Sequence, residues 1–153
     1  DIEGNRTILE DFLENSLFGS LSYPLKNEEY QVITKEETKI VIIDFNSILN
    51  MSCIYYGSSL KGRIKGSKSI LGGSYKLPIM ISEKNNIIFF PIKDQKNYTW
   101  INFNNVKSFE KMDNGINVVF KNELKKFFNV SYTIFNNQLL KSSRLWLVYL
   151  TRG

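Results

Sequence analysis

The side chains that most often perform catalysis or bind metals are scarce in this sequence. It contains no histidine and one cysteine, Cys53, which excludes Ser-His-Asp relays, Cys-His pairs, histidine-ligated metals and thiolate zinc clusters. Its adjacent carboxylates, such as Glu28 with Glu29, point to opposite faces of an extended chain. No glycine-rich phosphate loop is present. We therefore expect a binding protein and not an enzyme, with no metal and no cofactor.

A second kind of chemistry is available to residues 52–71, SCIYYGSSLKGRIKGSKSIL, which are rich in lysine, serine and glycine. No acidic residue lies between Asp44 and Glu83, and residues 51–153 carry a net charge of +11 against −6 for residues 1–50. Such a stretch keeps its positive potential and attracts nucleic acid, an anionic membrane or an acidic protein. By charge alone, a lysine-rich solubilising surface is an equal alternative.

The spacing within this segment favours a helix over residues 59–71. At about 100° per residue, Lys61, Lys65 and Lys68 share one face. The residues that could dock the helix on a sheet lie beside them: Leu60, Ile64 and Leu71. A third face has almost no side-chain bulk: Ser59, Gly62, Gly66 and Ser69. Each interior glycine costs about 1 kcal/mol relative to alanine, which a closely approaching phosphate backbone would explain. The alternative is a glycine-rich loop that reverses the chain.

The sequence patterns before and after this segment predict a β-rich α+β fold of about seven mostly antiparallel strands. The helices and strands of this fold must hold the segment in place. Residues 7–18 read as a short amphipathic helix capped by Thr7, and residues 131–150 as a closing helix capped by Ser131. The predicted strands are EYQVIT, TKIVIIDF, PIMIS, NIIFFPI, TWINF, VKSFEKM, INVVF and KKFFNV. The first two are expected to form a hairpin, as are PIMIS with NIIFFPI, and an Asp-Asn-Gly turn is expected before INVVF.

Length and composition predict a single domain over residues 1–153, with an acidic helical segment over residues 1–24. No apolar run is long enough to span a bilayer, the first residues lack a secretory signal, and a lone cysteine forms no internal disulfide. We therefore expect a soluble cytoplasmic protein that does not bind membranes. The apolar face of residues 8–17 could pack on its own domain or on a partner.

The aromatic residues are expected to serve mainly as core. Trp100 and Trp146 lie in apolar patterns and are predicted to be packed inside. The strands contain two phenylalanine pairs, Phe89 with Phe90 and Phe127 with Phe128, so one member of each is expected to face outward, where it could contact a second copy. Lys125 and Lys126 could extend the basic surface or protect an edge strand from aggregation.

A series of spaced motifs runs through the basic segment and the strands after it. A cysteine, two aromatics, GSS, a GR pair and a further glycine precede a PIM segment, an FFP strand and a Trp-Ile pair. These residues are Cys53, Tyr55, Tyr56, Gly57, Ser58, Ser59, Gly62, Arg63, Gly66, Pro78, Ile79, Met80, Phe89, Phe90, Pro91, Trp100 and Ile101. In this order they resemble the ComK family of competence transcription factors of Gram-positive bacteria. The resemblance covers roughly residues 30–150 and is strongest over residues 51–110.

The resemblance implies a sequence-specific transcriptional activator of competence or DNA-uptake genes. ComK-like proteins bind double-stranded DNA at AT-rich promoter boxes as homodimers or higher homo-oligomers, largely through the minor groove. That groove is narrow and electronegative in A·T runs and attracts inserted Arg or Lys. The DNA-binding candidates are then Arg63 for groove insertion, Lys61, Lys65 and Lys68 for phosphate contacts, and Ser58 and Ser59 as hydrogen-bond donors.

Two features depart from the family pattern. The acidic N-terminal segment has no clear counterpart, and the sequence stops at Gly153, where the family usually continues with a tail involved in degradation. The resemblance implies a MecA/ClpC-type degradation adaptor as a further partner, and the missing tail weighs against it here. Two other hypotheses for the function remain open. The protein could be a small pleckstrin-homology-like β-domain that binds anionic lipid or a peptide, or a domain whose basic patch binds an acidic protein.

Overall fold

The computed structural model describes residues 16–21, 30–34, 38–41, 45–73, 76–94 and 97–152. Within these ranges the chain forms three α-helices, nine strands and one short 3₁₀ helix, which confirms the α+β, β-rich class. Of these strands, the first has no counterpart among the predicted segments. The strands are β1 Ser16–Leu21, β2 Tyr30–Thr34, β3 Thr38–Val41, β4 Ile79–Ser82, β5 Ile87–Asp94, β6 Asn97–Asn102, β7 Val106–Met112, β8 Gly115–Phe120 and β9 Lys125–Phe128. The helices are α1 Phe45–Tyr55, α2 Leu60–Leu71, the 3₁₀ helix Phe103–Asn105 and α3 Tyr132–Arg152.

The strands form two antiparallel sheets. One sheet has six strands in the order β3-β2-β1-β6-β5-β4, and the other has three in the order β7-β8-β9. Both expected hairpins are present, as β2 with β3 and β4 with β5. The turn at residues 113–114 joins β7 to β8, as its Asp-Asn-Gly sequence predicted.

The predicted N-terminal helix over residues 7–18 is wrong at residues 16–18, which begin strand β1. This strand pairs with β2 on one side and β6 on the other. Gly19 and Ser20 are weak helix formers, and ladder hydrogen bonds from two neighbouring strands outweigh a helical apolar pattern. Residues 7–15 of that prediction lie outside the described residues.

Strand β5 is covered on both faces, and this corrects the expectation that Phe89 or Phe90 faces outward. Both rings are fully buried. Phe89 packs in a cluster with Leu49 and Cys53 of α1, whereas Phe90 packs with Phe135 of α3 and with the three-stranded sheet. Successive strand residues point to opposite faces, so helices on one face and a sheet with α3 on the other bury both rings. In the second pair the expected alternation holds, with Phe128 buried and Phe127 exposed.

Helix α3 closes the fold as the sequence predicted. The hydroxyl of Ser131 accepts a hydrogen bond from the Ile134 amide at 3.1 Å, which confirms the N-cap. Phe135 is fully buried, and Leu139, Trp146 and Tyr149 pack against the core clusters. Trp100 packs against the cluster around Leu49, so both tryptophans serve the core.

Candidate nucleic-acid interface

Helices α1 and α2 form a tight helix–turn–helix unit on the face of β4 and β5. Gly57 in the turn has a φ of +84°, a conformation that favours glycine. The Ser59 hydroxyl accepts a hydrogen bond from the Gly62 amide at 3.1 Å and so caps α2. The Asn50 side chain of α1 accepts one from the Leu60 amide at 3.1 Å. Residues 59–71 are therefore a capped helix and not a loop.

The three lysines of α2 lie together on its exposed face. Lys61, Lys65 and Lys68 are each exposed. Leu60 and Ile64 pack against the buried cluster that contains Leu49 and Cys53, as the docking prediction required. The sequence contains no acidic residue from position 45 to position 82, so nothing within that stretch neutralises the lysines. Their spacing predicted this cationic face correctly.

An open groove of about 560 Å³ runs between α1 and α2 beside these lysines. Its residues are Asn46, Ser47 and Asn50 from α1, and Leu60, Lys61, Ile64, Lys65 and Lys68 from α2. We call this surface the α1–α2 groove. It combines an apolar floor with amide and hydroxyl groups on one side and ammonium groups on the other. Amides, hydroxyls and lysines are side chains that commonly contact phosphate and sugar oxygens.

Sequence reasoning missed the contribution of α1 to this groove. Asparagine and serine are poor helix formers, and residues 38–45 read as a strand, which hid the start of the helix. A signal was nevertheless present: Leu49, Cys53 and Tyr56 recur at offsets of four and three. Leu49 and Cys53 are buried, and Tyr56 packs against their cluster.

Arg63 occupies a different position from the three lysines. Its guanidinium Nη2 donates to Glu83 Oε2 at 2.9 Å, and its Nε donates to the Ser58 hydroxyl at 3.1 Å. The guanidinium carbon also lies 5.3 Å from the centre of the Tyr149 ring. Its side chain is only 12% exposed, so the free protein holds Arg63 between α2, α3 and the β4–β5 turn. To enter a DNA groove, Arg63 has to exchange these contacts for DNA.

The electrostatics of this cluster stabilise the pair in its charged form. Burial alone raises the pKa of Glu83, but a backbone hydrogen bond and Arg63 outweigh it and leave that pKa below its ordinary value. For Arg63, burial lowers the pKa, and Glu83 and Tyr149 outweigh it, so the net pKa is raised. Burial raises the pKa of the nearby Cys53 thiol. A fully buried thiol of this kind acts as a small apolar side chain.

The two serines predicted to face DNA have roles within the chain. The Ser58 hydroxyl donates to the Cys53 carbonyl at 3.0 Å while it accepts from Arg63. Ser59 is exposed, and its oxygen serves as the α2 cap. Because a hydroxyl has one proton, Ser58 has to release the Cys53 carbonyl before it can donate to a phosphate. Ser59 needs no such exchange.

One face of α2 has almost no side-chain bulk, and at Gly66 a contact within the protein explains why. A side-chain carbon added at this position would lie 2.5 Å from the Tyr149 hydroxyl of α3. Glycine therefore lets α3 approach α2 closely. At Gly62, which is exposed, the nearest atom to an added carbon is the Ser59 hydroxyl oxygen at 3.2 Å. Close approach of an external partner therefore does not have to explain Gly66.

Two further observations concern metal ligands and membrane-spanning helices in the described part of the chain. Among those residues, no three histidine, cysteine or carboxylate side chains are grouped as metal ligands would be. None of the helices in the described ranges combines the length and apolar character needed to cross a membrane.

The order of motifs around α1, α2 and β4–β6 agrees with a family comparison. The model of the ComK protein family matches residues 21–152. This chain belongs to the ComK protein family. The match includes the whole α1–α2 unit and leaves the acidic residues 1–20 outside it.

Individual relatives are more distant. The competence transcription factor of Bacillus subtilis strain 168 is 32% identical over 103 residues, which is 65% of this chain and 53% of the relative. The chain thus aligns with about half the length of that relative. The LytTr DNA-binding domain of a response regulator from Bacillus cereus matches with a TM-score of 0.40 and 12% identity, covering 84% of this chain and 83% of that one. A similarity at that level does not establish a shared fold.

Proposed function

We propose that this protein is a sequence-specific, DNA-binding transcriptional activator of competence or DNA-uptake genes. Membership of the ComK family and the likeness to a competence transcription factor support this. One observation carries the proposal: three lysines on one exposed helix face, with no carboxylate in residues 45–82 to neutralise them. Such a surface suits a polyanion, and in a transcription factor family that polyanion is promoter DNA. It works by binding and not by catalysis, in the cytoplasm.

In this proposal the α1–α2 groove holds one strand of the DNA backbone. Lys61, Lys65 and Lys68 neutralise phosphates, while Asn46 and Ser59 donate hydrogen bonds to the backbone oxygens. These contacts position the protein without reading sequence. Arg63 leaves Glu83 and enters the minor groove of an A·T run, where the negative potential is strongest. Breaking the ion pair with the exposed Glu83 costs about 0–1 kcal/mol. Loss of the Ser58 hydrogen bond and the Tyr149 contact adds to the cost of the exchange.

The helix–turn–helix form of α1 and α2 favours a second mode of reading. In DNA-binding proteins with such units, the second helix often lies in the major groove. Here that helix is α2, with its lysines facing outward. The two modes read different edges of the same base pairs, so a chemical change confined to one groove distinguishes them.

The test replaces the A·T pairs of an AT-rich duplex with inosine–cytosine pairs. These pairs keep the minor-groove face of A·T but show the major groove the face of G·C, since inosine lacks only the N2 amino group. Minor-groove reading predicts equal affinity for the A·T and inosine–cytosine duplexes and weaker binding to G·C. If the inosine–cytosine duplex binds as weakly as G·C, α2 reads the major groove. If all three bind equally and anionic vesicles bind tighter, the DNA proposal fails.

We also propose that the protein acts as an oligomer, as the resemblance implies. Helix α3 exposes Leu140, Leu147 and Leu150, whose spacing of seven and three places them on one helical face. This row is the candidate contact between copies. Sedimentation of Leu147→Glu against the unaltered protein tests it, with a shift to smaller species expected.

A further inference from the structure

A second groove lies away from the α1–α2 groove and shares no residue with it. It has a volume of about 470 Å³ and runs between the 3₁₀ helix, β7 and α3. Its apolar wall includes Phe103, Phe109, Tyr132 and Leu139, and its cationic side chains are Lys107 and Lys121. Among the described residues that line it, none is acidic. We call it the β7–α3 groove, and its chemistry suits an apolar segment that also carries carboxylates.

The sheet register brings one end of β1 to this groove. Phe18 pairs with Ile101 and Ser20 with Thr99 in the antiparallel ladder between β1 and β6. Ile101 lies two residues before Phe103, which begins the 3₁₀ helix and lines the groove. Strand β1 therefore begins near the end of β6 that leads into the 3₁₀ helix and the β7–α3 groove.

The segment immediately before Ser16 has the complementary composition. Residues 7–15, TILEDFLEN, carry apolar side chains at Ile8, Leu9, Phe12 and Leu13. They also carry the carboxylates Glu10, Asp11 and Glu14 and no basic residue. This spacing is that of an amphipathic helix. The segment precedes residues 21–152, which match the family, so it is a feature of this chain beyond the family region.

We propose that residues 7–15 dock in the β7–α3 groove of their own chain. The apolar side chains lie against Phe103, Phe109 and Leu139, and the carboxylates lie toward Lys121 and Lys107. Lys107 already pairs with Glu123 at 2.5 Å, so Lys121 is the main electrostatic partner. The short connection to Ser16 makes docking intramolecular, with a local concentration on the millimolar scale. This inference does not depend on DNA binding.

The experiment places a nitroxide spin label on Asn5→Cys in the full chain and records amide spectra. Cys53 is fully buried, and labelled protein without the substitution shows whether it reacts. Docking predicts loss of more than half the signal intensity at residues 106–109 and 132–143. A second sample mixes spin-labelled protein without ¹⁵N with ¹⁵N protein that carries no spin label. Signal loss in this mixture arises only from contacts between copies, so the comparison separates these from contacts within one chain. Loss confined to the lysine face of α2, loss seen only between copies, or no loss overturns the proposal.

A charge reversal tests the electrostatic part. Lys121→Glu removes the main cation of the groove and is expected to restore most of the lost intensity. The matched control is Lys125→Glu, another exposed lysine, on β9 outside the groove, which should leave the signal loss unchanged. Equal effects of the two variants would contradict the assigned partner. Retention of the native amide spectrum elsewhere shows that both variants fold.

Discussion

At the scale of single residues, Arg63 is the point where the sequence and the fold give different information. The sequence marks Arg63 as an exposed-looking cation in a basic segment, whereas the fold engages it with Glu83, Ser58 and Tyr149. Glu83 is twenty positions away and Tyr149 more than eighty, so no local pattern could reveal these partners. The α2 lysines have only local requirements, namely spacing and exposure, and their face was predictable.

Glu83→Gln is expected to tighten binding to AT-rich DNA by a few-fold. It weakens the internal competitor for Arg63, and an ion pair of this exposure contributes at most about 1 kcal/mol, while tenfold in affinity is about 1.4 kcal/mol. Fluorescence anisotropy with AT-rich and GC-rich duplexes measures the effect. Loss of a negative charge alone would raise both affinities, so a preferential gain on the AT duplex is the diagnostic result. That preference should vanish when Arg63→Ala is also present. Equal gains on both duplexes would show that Arg63 does not read the groove.

The same ion pair predicts a dependence of stability on pH. The pKa of Glu83 lies below its ordinary value of 4.5 in the folded protein. A carboxyl group with a depressed pKa stabilises the fold above the unfolded pKa and loses that contribution as pH falls through the folded pKa. The melting temperature of the unaltered protein should therefore exceed that of Glu83→Gln at pH values above the ordinary pKa of 4.5, with the gap closing as the pH falls through the lower pKa of the folded protein. Because the Glu83 side chain is 45% exposed, the gap should be small and should shrink with added salt. A gap that grows on acidification would contradict this pairing.

At the scale of elements, the close approach of α2 to α3 depends on Gly66 and Tyr149. Glycine to alanine in a helix interior usually stabilises by about 1 kcal/mol. At Gly66 the added carbon meets the Tyr149 hydroxyl, so Gly66→Ala should lose that gain or destabilise. Tyr149→Phe removes the obstructing oxygen, and the double variant should recover most of the gain relative to Tyr149→Phe alone. Urea denaturation of the four proteins measures the coupling. Full additivity would show that the two residues do not limit the approach.

The helices and strands also show which elements the sequence periodicity could predict. Hairpins with clear turn residues, the capped α2 and the closing helix α3 were predictable, because local spacing and caps define them. Helix α1 was not, since its asparagines and serines favour caps and turns over helix interiors. The predictions for residues 16–18 and for the pair Phe89–Phe90 were wrong for another reason, because both depend on long-range contacts. Residues 16–18 belong to a strand that pairs with β6, and the two phenylalanines are buried by α1 on one face of β5 and by α3 on the other.

At the scale of the whole molecule, charge is divided between the two parts of the sequence. Residues 51–153 carry +11 and residues 1–50 carry −6. The positive part contains α2 with its three lysines, and the negative part contains the segment proposed to dock in the β7–α3 groove. Net charge alone cannot tell a DNA-binding surface from a solubilising one, because both attract polyanions. A DNA-binding surface differs in requiring particular lysines on one face.

The most direct test removes Lys61, Lys65 and Lys68 together and measures DNA affinity across a series of salt concentrations. The matched control removes three exposed lysines of the smaller sheet: Lys111, Lys125 and Lys126. Each phosphate contact contributes about 0.9 to the slope of log affinity against log salt, so the α2 variant should lose about 2 to 3 units of slope and the control almost none. If both variants lose the same slope, the protein binds DNA only through its overall charge, and the α1–α2 groove is not the DNA-binding site.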